Sequence, residues 1–132
     1  MDADQFASRW ADAWNRRDVE EVLAHFDDDI VFTSPTARAV TGEAVVKGKE
    51  SLRAYWNAAM ARIQSIRFDV ERVLWDAGRR GLAIIYTARI DGAAKRVSEN
   101  LILDESGRVI EADDITIRLS DDDERIRMLE LR

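Results

Sequence analysis

Residues 82–103 read LAIIYTARIDGAAKRVSENLIL, and this stretch decides the fold. In its first nine residues Leu82, Ile84, Tyr86, Ala88 and Ile90 fall at every second position, so on a strand they form one wholly apolar face. Asp91-Gly92 follows, a dipeptide suited to the two-residue turn of a β-hairpin, where both positions need positive φ. Residues 95–104 make the return strand, on which Val97, Glu99, Leu101 and Leu103 share a face. Glu99 is the anomaly. A carboxyl on an apolar face is costly to bury unless it is paired or stays protonated. It is either a site residue or a structural carboxylate paired with a neighbour such as Arg72, which alternation places on the inward face of its own strand.

Working outward, the strand signals continue on both sides. Residues 66–75 alternate, with Ile66, Phe68, Val70 and Leu74 against Arg67, Asp69 and Glu71, and residues 76–80 form a turn. After a turn at Glu105-Ser106-Gly107, residues 109–119 read as a last strand. Its Asp114 lies on one face with Ile110, Ala112 and Thr116, and its Asp113 on the other with Val109, Glu111, Ile115 and Ile117. Hydrophobicity alone favours the Asp113 face as the inner one.

The N-terminal half is helical. Phe6, Trp10 and Trp14 recur every four residues and predict a helix over 3–17. Asp18 with Glu21 three residues later predicts a capped second helix carrying Val19, Val22, Leu23 and Phe26. Asp27-Asp28-Asp29 reads as a solvated turn, residues 30–34 as a short strand closed by Pro35, and residues 36–47 as a short hairpin around Gly42-Glu43. Leu52, Tyr55, Trp56, Ala59, Met60 and Ile63 predict a third helix over 49–63. Helices first and hairpin-linked strands afterwards predict an α+β fold, three N-terminal helices packed on a curved antiparallel sheet with a pocket between the layers.

The 132 residues suffice for one core-forming domain, read as 1–120 followed by a charged tail at 121–132. A formal net charge of −6 argues against a nucleic-acid surface. With no cysteine there is no disulfide, thiol nucleophile or thiolate metal site. Met1-Asp2-Ala3-Asp4-Gln5 has neither a basic flank nor an apolar run, and no apolar stretch could span a bilayer. A cytoplasmic protein without membrane contact is the expectation. His25 is the lone histidine, too few for a two-His metal site, and is expected at the surface. No metal and no cofactor are expected.

Four stretches together resemble a known family: WADAWNRRD at 10–18, LAHFDDDIVFTSP at 23–35, GKESLRAYW at 48–56 and GRVI at 107–110. The chain resembles, over roughly residues 5–119, the nuclear transport factor 2-like superfamily, which includes SnoaL-like cyclases and ketosteroid isomerases. The resemblance implies a cone-shaped α+β barrel and a homodimer formed through the sheet; a subunit of a larger complex, as in dioxygenase small subunits, is the alternative assembly. It also implies departures from ketosteroid isomerase chemistry. The position of that family's general-base Asp is Ser34, that of its oxyanion tyrosine is Trp10, and two supporting tyrosines are replaced by Phe26 and Trp56. The position of its oxyanion-side acid is Glu99. SnoaL-like cyclases use an Asp in the last strand, and alignment with the isomerases turns Asp114 rather than Asp113 toward the pocket.

The sequence reading therefore places Glu99 and Asp114 as catalytic carboxyls. Trp10, Trp14, Phe32, Ser34, Tyr55, Trp56, Met60 and Tyr86 are the expected ligand-binding residues. The expected ligand is a small hydrophobic, cyclic or carbonyl compound, and the expected chemistry a cofactor-free isomerisation, cyclisation, dehydration or hydrolysis. The alternative is a non-catalytic binding or dimeric interaction domain.

Overall fold

Caps and turns written in the sequence divide the first half of the chain. The computed structural model describes residues 1–117. The Asp2 carboxylate accepts the Gln5 N–H at 2.9 Å and starts helix α1, Ala3–Asn15. This helix stops two residues short of the expected end, because Arg17 adopts φ +60°. Asp18 then caps α2, Val19–Leu23, by accepting the Glu21 N–H at 3.1 Å, as its spacing predicts.

Strand β1, Phe26–Thr33, begins earlier than expected. The Asp27–Asp29 run is not a turn but part of this strand, where its pairing is interrupted: Phe26 faces Val109 while Val31 already faces Glu111. The expected hairpin over 36–47 is instead helix α3, Pro35–Thr41, followed by the short strand β2, Val45–Lys47. The cause lies in the residues at its ends. Ser34 accepts the Thr36 N–H at 3.2 Å, Pro35 sits in the first turn where its missing N–H costs nothing, and Gly42 closes the helix at φ +84°. Helix α4, Lys49–Arg62, matches its prediction within a residue.

Strands β3 (Ile66–Asp76), β4 (Gly81–Ile90), β5 (Ala93–Leu103) and β6 (Val109–Ile117) follow. Asp91 and Gly92, at φ +51° and +84°, form the tight turn between β4 and β5 that the Asp-Gly pair predicts. The six strands make one curved, unclosed sheet in the order β2-β1-β6-β5-β4-β3. It is mixed rather than wholly antiparallel, because β1 runs parallel to β6.

Alternation along β3 breaks once. The register slips between Val70 and Arg72, so Phe68 and Val70 face inward before the slip and Val73 and Trp75 after it. Leu74 is thereby turned to the outer face, 52% exposed. Arg72 shares that outer face, pairing with Ile85, and is exposed. It is therefore not the inward-facing partner that alternation suggested for Glu99. The core lies between the sheet and α1, α2 and α4, where Trp14, Leu23, Leu52 and Trp56 bury against Ile30, Ile84, Leu101 and Val109. The outer part of the expected last strand and the 121–132 tail lie outside the described residues.

Candidate functional site

Between α1, α4 and the inner sheet face lies an open cavity of about 140 Å³. Helix α1 lines it with Trp10 and Trp14, one turn apart, and α4 with Tyr55, Trp56 and Met60. Strand β1 adds Phe32, and Ser34 follows at the start of α3. Strands β4, β5 and β6 add Tyr86, Glu99 and Asp114. All ten residues singled out from the sequence thus border one space. Phe26 does not border it; its ring lies 5.6 Å from that of Trp56.

The aromatic part contains edge-on contacts linked through Phe68. Trp10 meets Tyr86 at 4.9 Å between ring centroids, Trp14 meets Trp56 at 4.9 Å, and Phe32 meets Trp56 at 5.4 Å. Such pairs hold one another in place beyond their burial. Phe68 of β3 joins them, 4.7 Å from Tyr86.

The polar part is built by the sheet register. Ile84, Glu99 and Asp114 are consecutive partners across β4, β5 and β6, which places the two carboxyls side by side on the inner face. Asp113 pairs with Asn100 and lies on the opposite face, where Ser98 donates to Asn100 at 3.0 Å. Glu99 is only 6% exposed. Burial foremost, and then the negative charges of Asp114 and Asp113, hold its carboxyl well above the usual range, while a hydrogen bond from Tyr86 acts the other way. Burial therefore favours the neutral, protonated form of Glu99.

Burial also raises Asp114, with the Ser34 hydroxyl and the Lys95 ammonium counteracting. The Tyr86 phenol is pushed far up by burial and by the two nearby carboxyls, so it remains a donor. Ser34, 1% exposed, thus has two tasks: its oxygen caps α3 and its hydroxyl supports Asp114.

The sequence reading missed three polar lining residues, Thr36, Lys95 and Thr116. Lys95 and Thr116 carried a usable signal, since they share parity with Glu99 and Asp114 on their strands. It also took Tyr86 for an aromatic wall only, although its strand position makes it a diagonal neighbour of Glu99. His25 is exposed, its ring 5.6 Å from Phe6 and away from the cavity. Among the described residues no group of three or more His, Asp or Glu side chains is arranged to hold a metal ion. No helix among them is long and apolar enough to cross a membrane.

This architecture recurs among solved structures. A SnoaL-like protein of unknown function from Burkholderia thailandensis is 28% identical, with a TM-score of 0.77 over 88% of this chain and 95% of that one. An NTF2-like protein of unknown function from Burkholderia pseudomallei is 20% identical, with a TM-score of 0.74 over 96% and 97% of the two chains. TerC, crystallised with polyporic acid, shares the fold at 12% identity and a TM-score of 0.72, over 98% and 96%. No curated protein matches the chain in sequence. The family model for the SnoaL-like domain matches residues 7–124, and the chain belongs to the SnoaL-like domain family of the NTF2-like fold.

Proposed function

We propose that the cavity binds a small, largely apolar carbonyl compound and that the Glu99–Asp114 pair moves a proton on it without a cofactor. The observation that carries this reading is the pairing itself. Two carboxyls in adjacent register positions line one apolar cavity, one of them almost wholly buried beside a phenol. Such neighbours differ in protonation, so an acid and a base coexist at one pH. Asp114 accepts a proton from the carbon next to the carbonyl. Glu99, held by Tyr86, donates a hydrogen bond to the oxygen on which negative charge develops. Return of the proton from Asp114 to a different carbon gives an isomer and restores both groups. A volume of about 140 Å³ suits a single six-membered ring, being close to the roughly 150 Å³ cavity that accepts benzene. The TerC structure with polyporic acid supports a ligand role for this fold.

Deuterium exchange tests the reading. Single-ring ketones in D2O are expected to lose their α-proton NMR signals faster with the protein than in buffer. Asp114→Asn is expected to slow that exchange about 100-fold or more. A panel showing no acceleration with the intact protein would remove the proton-transfer role and leave a binding domain. For assembly, we propose a homodimer through the outer sheet face, where Leu74, Ile102 and Ile115 are exposed.

A further inference from the structure

The cavity is polar at two ends that differ in charge. Deep in it lie Glu99, Asp114 and Ser34. At its rim lie Lys95, Thr36 and Thr116, all exposed. Lys95 stands on the same face of β5 as Glu99, four residues toward the turn, which is about 13 Å of extended chain. Among the described residues it is the one cationic side chain lining the cavity. Among the described residues it forms no ion pair, although its charge acts on Asp114. In a chain of net charge −6, an ammonium at the mouth of an apolar cavity favours the approach of an anionic group.

We infer that the ligand carries an anionic group, a carboxylate on a short arm, which Lys95 holds at the rim while the apolar ring enters the aromatic cavity. The inference rests on the proposed small-molecule role of the cavity and narrows its substrate class to cyclic acids. The four-residue spacing along β5 calls for a short arm between ring and acid group, whose length the probe series reads. Thr116, opposite Val97, is one pleat closer to Asp114 than Lys95 is, and its hydroxyl is the second donor available to the carboxylate. An anion placed directly against Asp114 would be repelled, so the acid group belongs at Lys95 and the reacting end belongs inside.

Trp10, Trp14 and Trp56 border the cavity, so tryptophan emission excited at about 295 nm reports occupancy. The probes are phenylacetate, 3-phenylpropanoate and 4-phenylbutanoate, each with its neutral amide. The intact protein is expected to bind the longer acids about tenfold more tightly than their amides, in keeping with one partly exposed charge-assisted hydrogen bond. Lys95→Met is expected to abolish that preference, and Lys95→Arg to retain it. Equal binding of acid and amide by the intact protein, or a preference that survives Lys95→Met, overturns the assignment and leaves Lys95 a solvated side chain. Loss of binding of acids and amides alike, by the intact protein, overturns the assignment together with the small-molecule reading. Amide binding without acid preference overturns the assignment alone.

Discussion

Burial of the Glu99 carboxyl couples its proton to folding. Its pKa in the folded chain lies well above the ordinary value of about 4.5, so between the two values the native state holds a proton that the unfolded chain has lost. Stability from this group is therefore complete below about pH 4.5 and declines as pH rises toward the folded value, by up to about 1.4 kcal/mol per pH unit. Glu99→Gln keeps the shape and hydrogen-bonding capacity of the protonated acid but cannot ionise. Thermal melts of the two proteins are expected to coincide near pH 4, and the variant is expected to become the more stable as pH rises above about 5. A constant offset across that range would mean that Glu99 is ionised in the folded protein. The anomaly was legible in the sequence because alternation put Glu99 among Val97, Leu101 and Leu103. Its neighbour Asp114 came from the family resemblance and not from the strand pattern, which favoured the Asp113 face, because register between β5 and β6 depends on pairing across two strands.

Among the elements, α3 shows how one residue serves two structures. Ser34 ends β1, caps α3 and supports Asp114 from a site that is almost fully buried. Ser34→Ala is expected to cost about 1 kcal/mol in urea unfolding through the lost cap. It is also expected to raise Asp114 further, since a hydrogen bond to its charged form is lost, and a carboxyl-detected NMR titration would record that shift. If unfolding changes while the Asp114 titration stays in place, Ser34 acts only as a cap.

The same helix marks the limit of pattern reading. Pro35 stops a strand and also suits a first helical turn, and the local sequence contains both signals. The Asp27–Asp29 run resembled a turn because strands disfavour consecutive Asp, yet β1 continues through it where pairing to β6 is already broken. In β3 the even-numbered apolar positions were correct until the extra residue near Glu71 exchanged the faces. By contrast, the β4–β5 hairpin was legible, although its return strand starts at Ala93, directly after the turn, rather than at 95. Apolar alternation and an Asp-Gly turn there act over the same twenty residues, with no irregularity to disturb the phase.

For the whole molecule, the sheet has one face packed under helices and one that carries no helix among the described residues. On the outer face Leu74, Ile85, Ile102 and Ile115 come from four adjacent strands, β3, β4, β5 and β6. Leu74 and Ile115 are each more than half exposed. Apolar side chains on one continuous face favour association, and the proposed dimer follows from them. Sedimentation at micromolar concentration is expected to give twice the mass of the 15.1 kDa chain, and Ile115→Lys to give the single-chain mass with unchanged near-ultraviolet circular dichroism. A single-chain mass for the unaltered protein would refute this use of the face. The cavity lies on the opposite side of the sheet, so loss of the dimer is expected to leave probe binding intact.

The unclosed sheet leaves β3 as an edge, and α1 reaches across to it. Asn15 accepts the Phe68 N–H at 2.7 Å and donates to the Phe68 carbonyl at 3.0 Å, occupying both outward backbone groups of that residue. Farther along, the paired charges of Arg67, Asp69 and Arg89 and the extra residue near Glu71 make the edge polar and irregular. An incoming strand from another molecule would have to displace a side-chain amide, break two ion pairs and match a bent template. Fibril growth by strand addition is thereby obstructed at this end of the sheet, and much of the obstruction comes from the residue that ends the first helix.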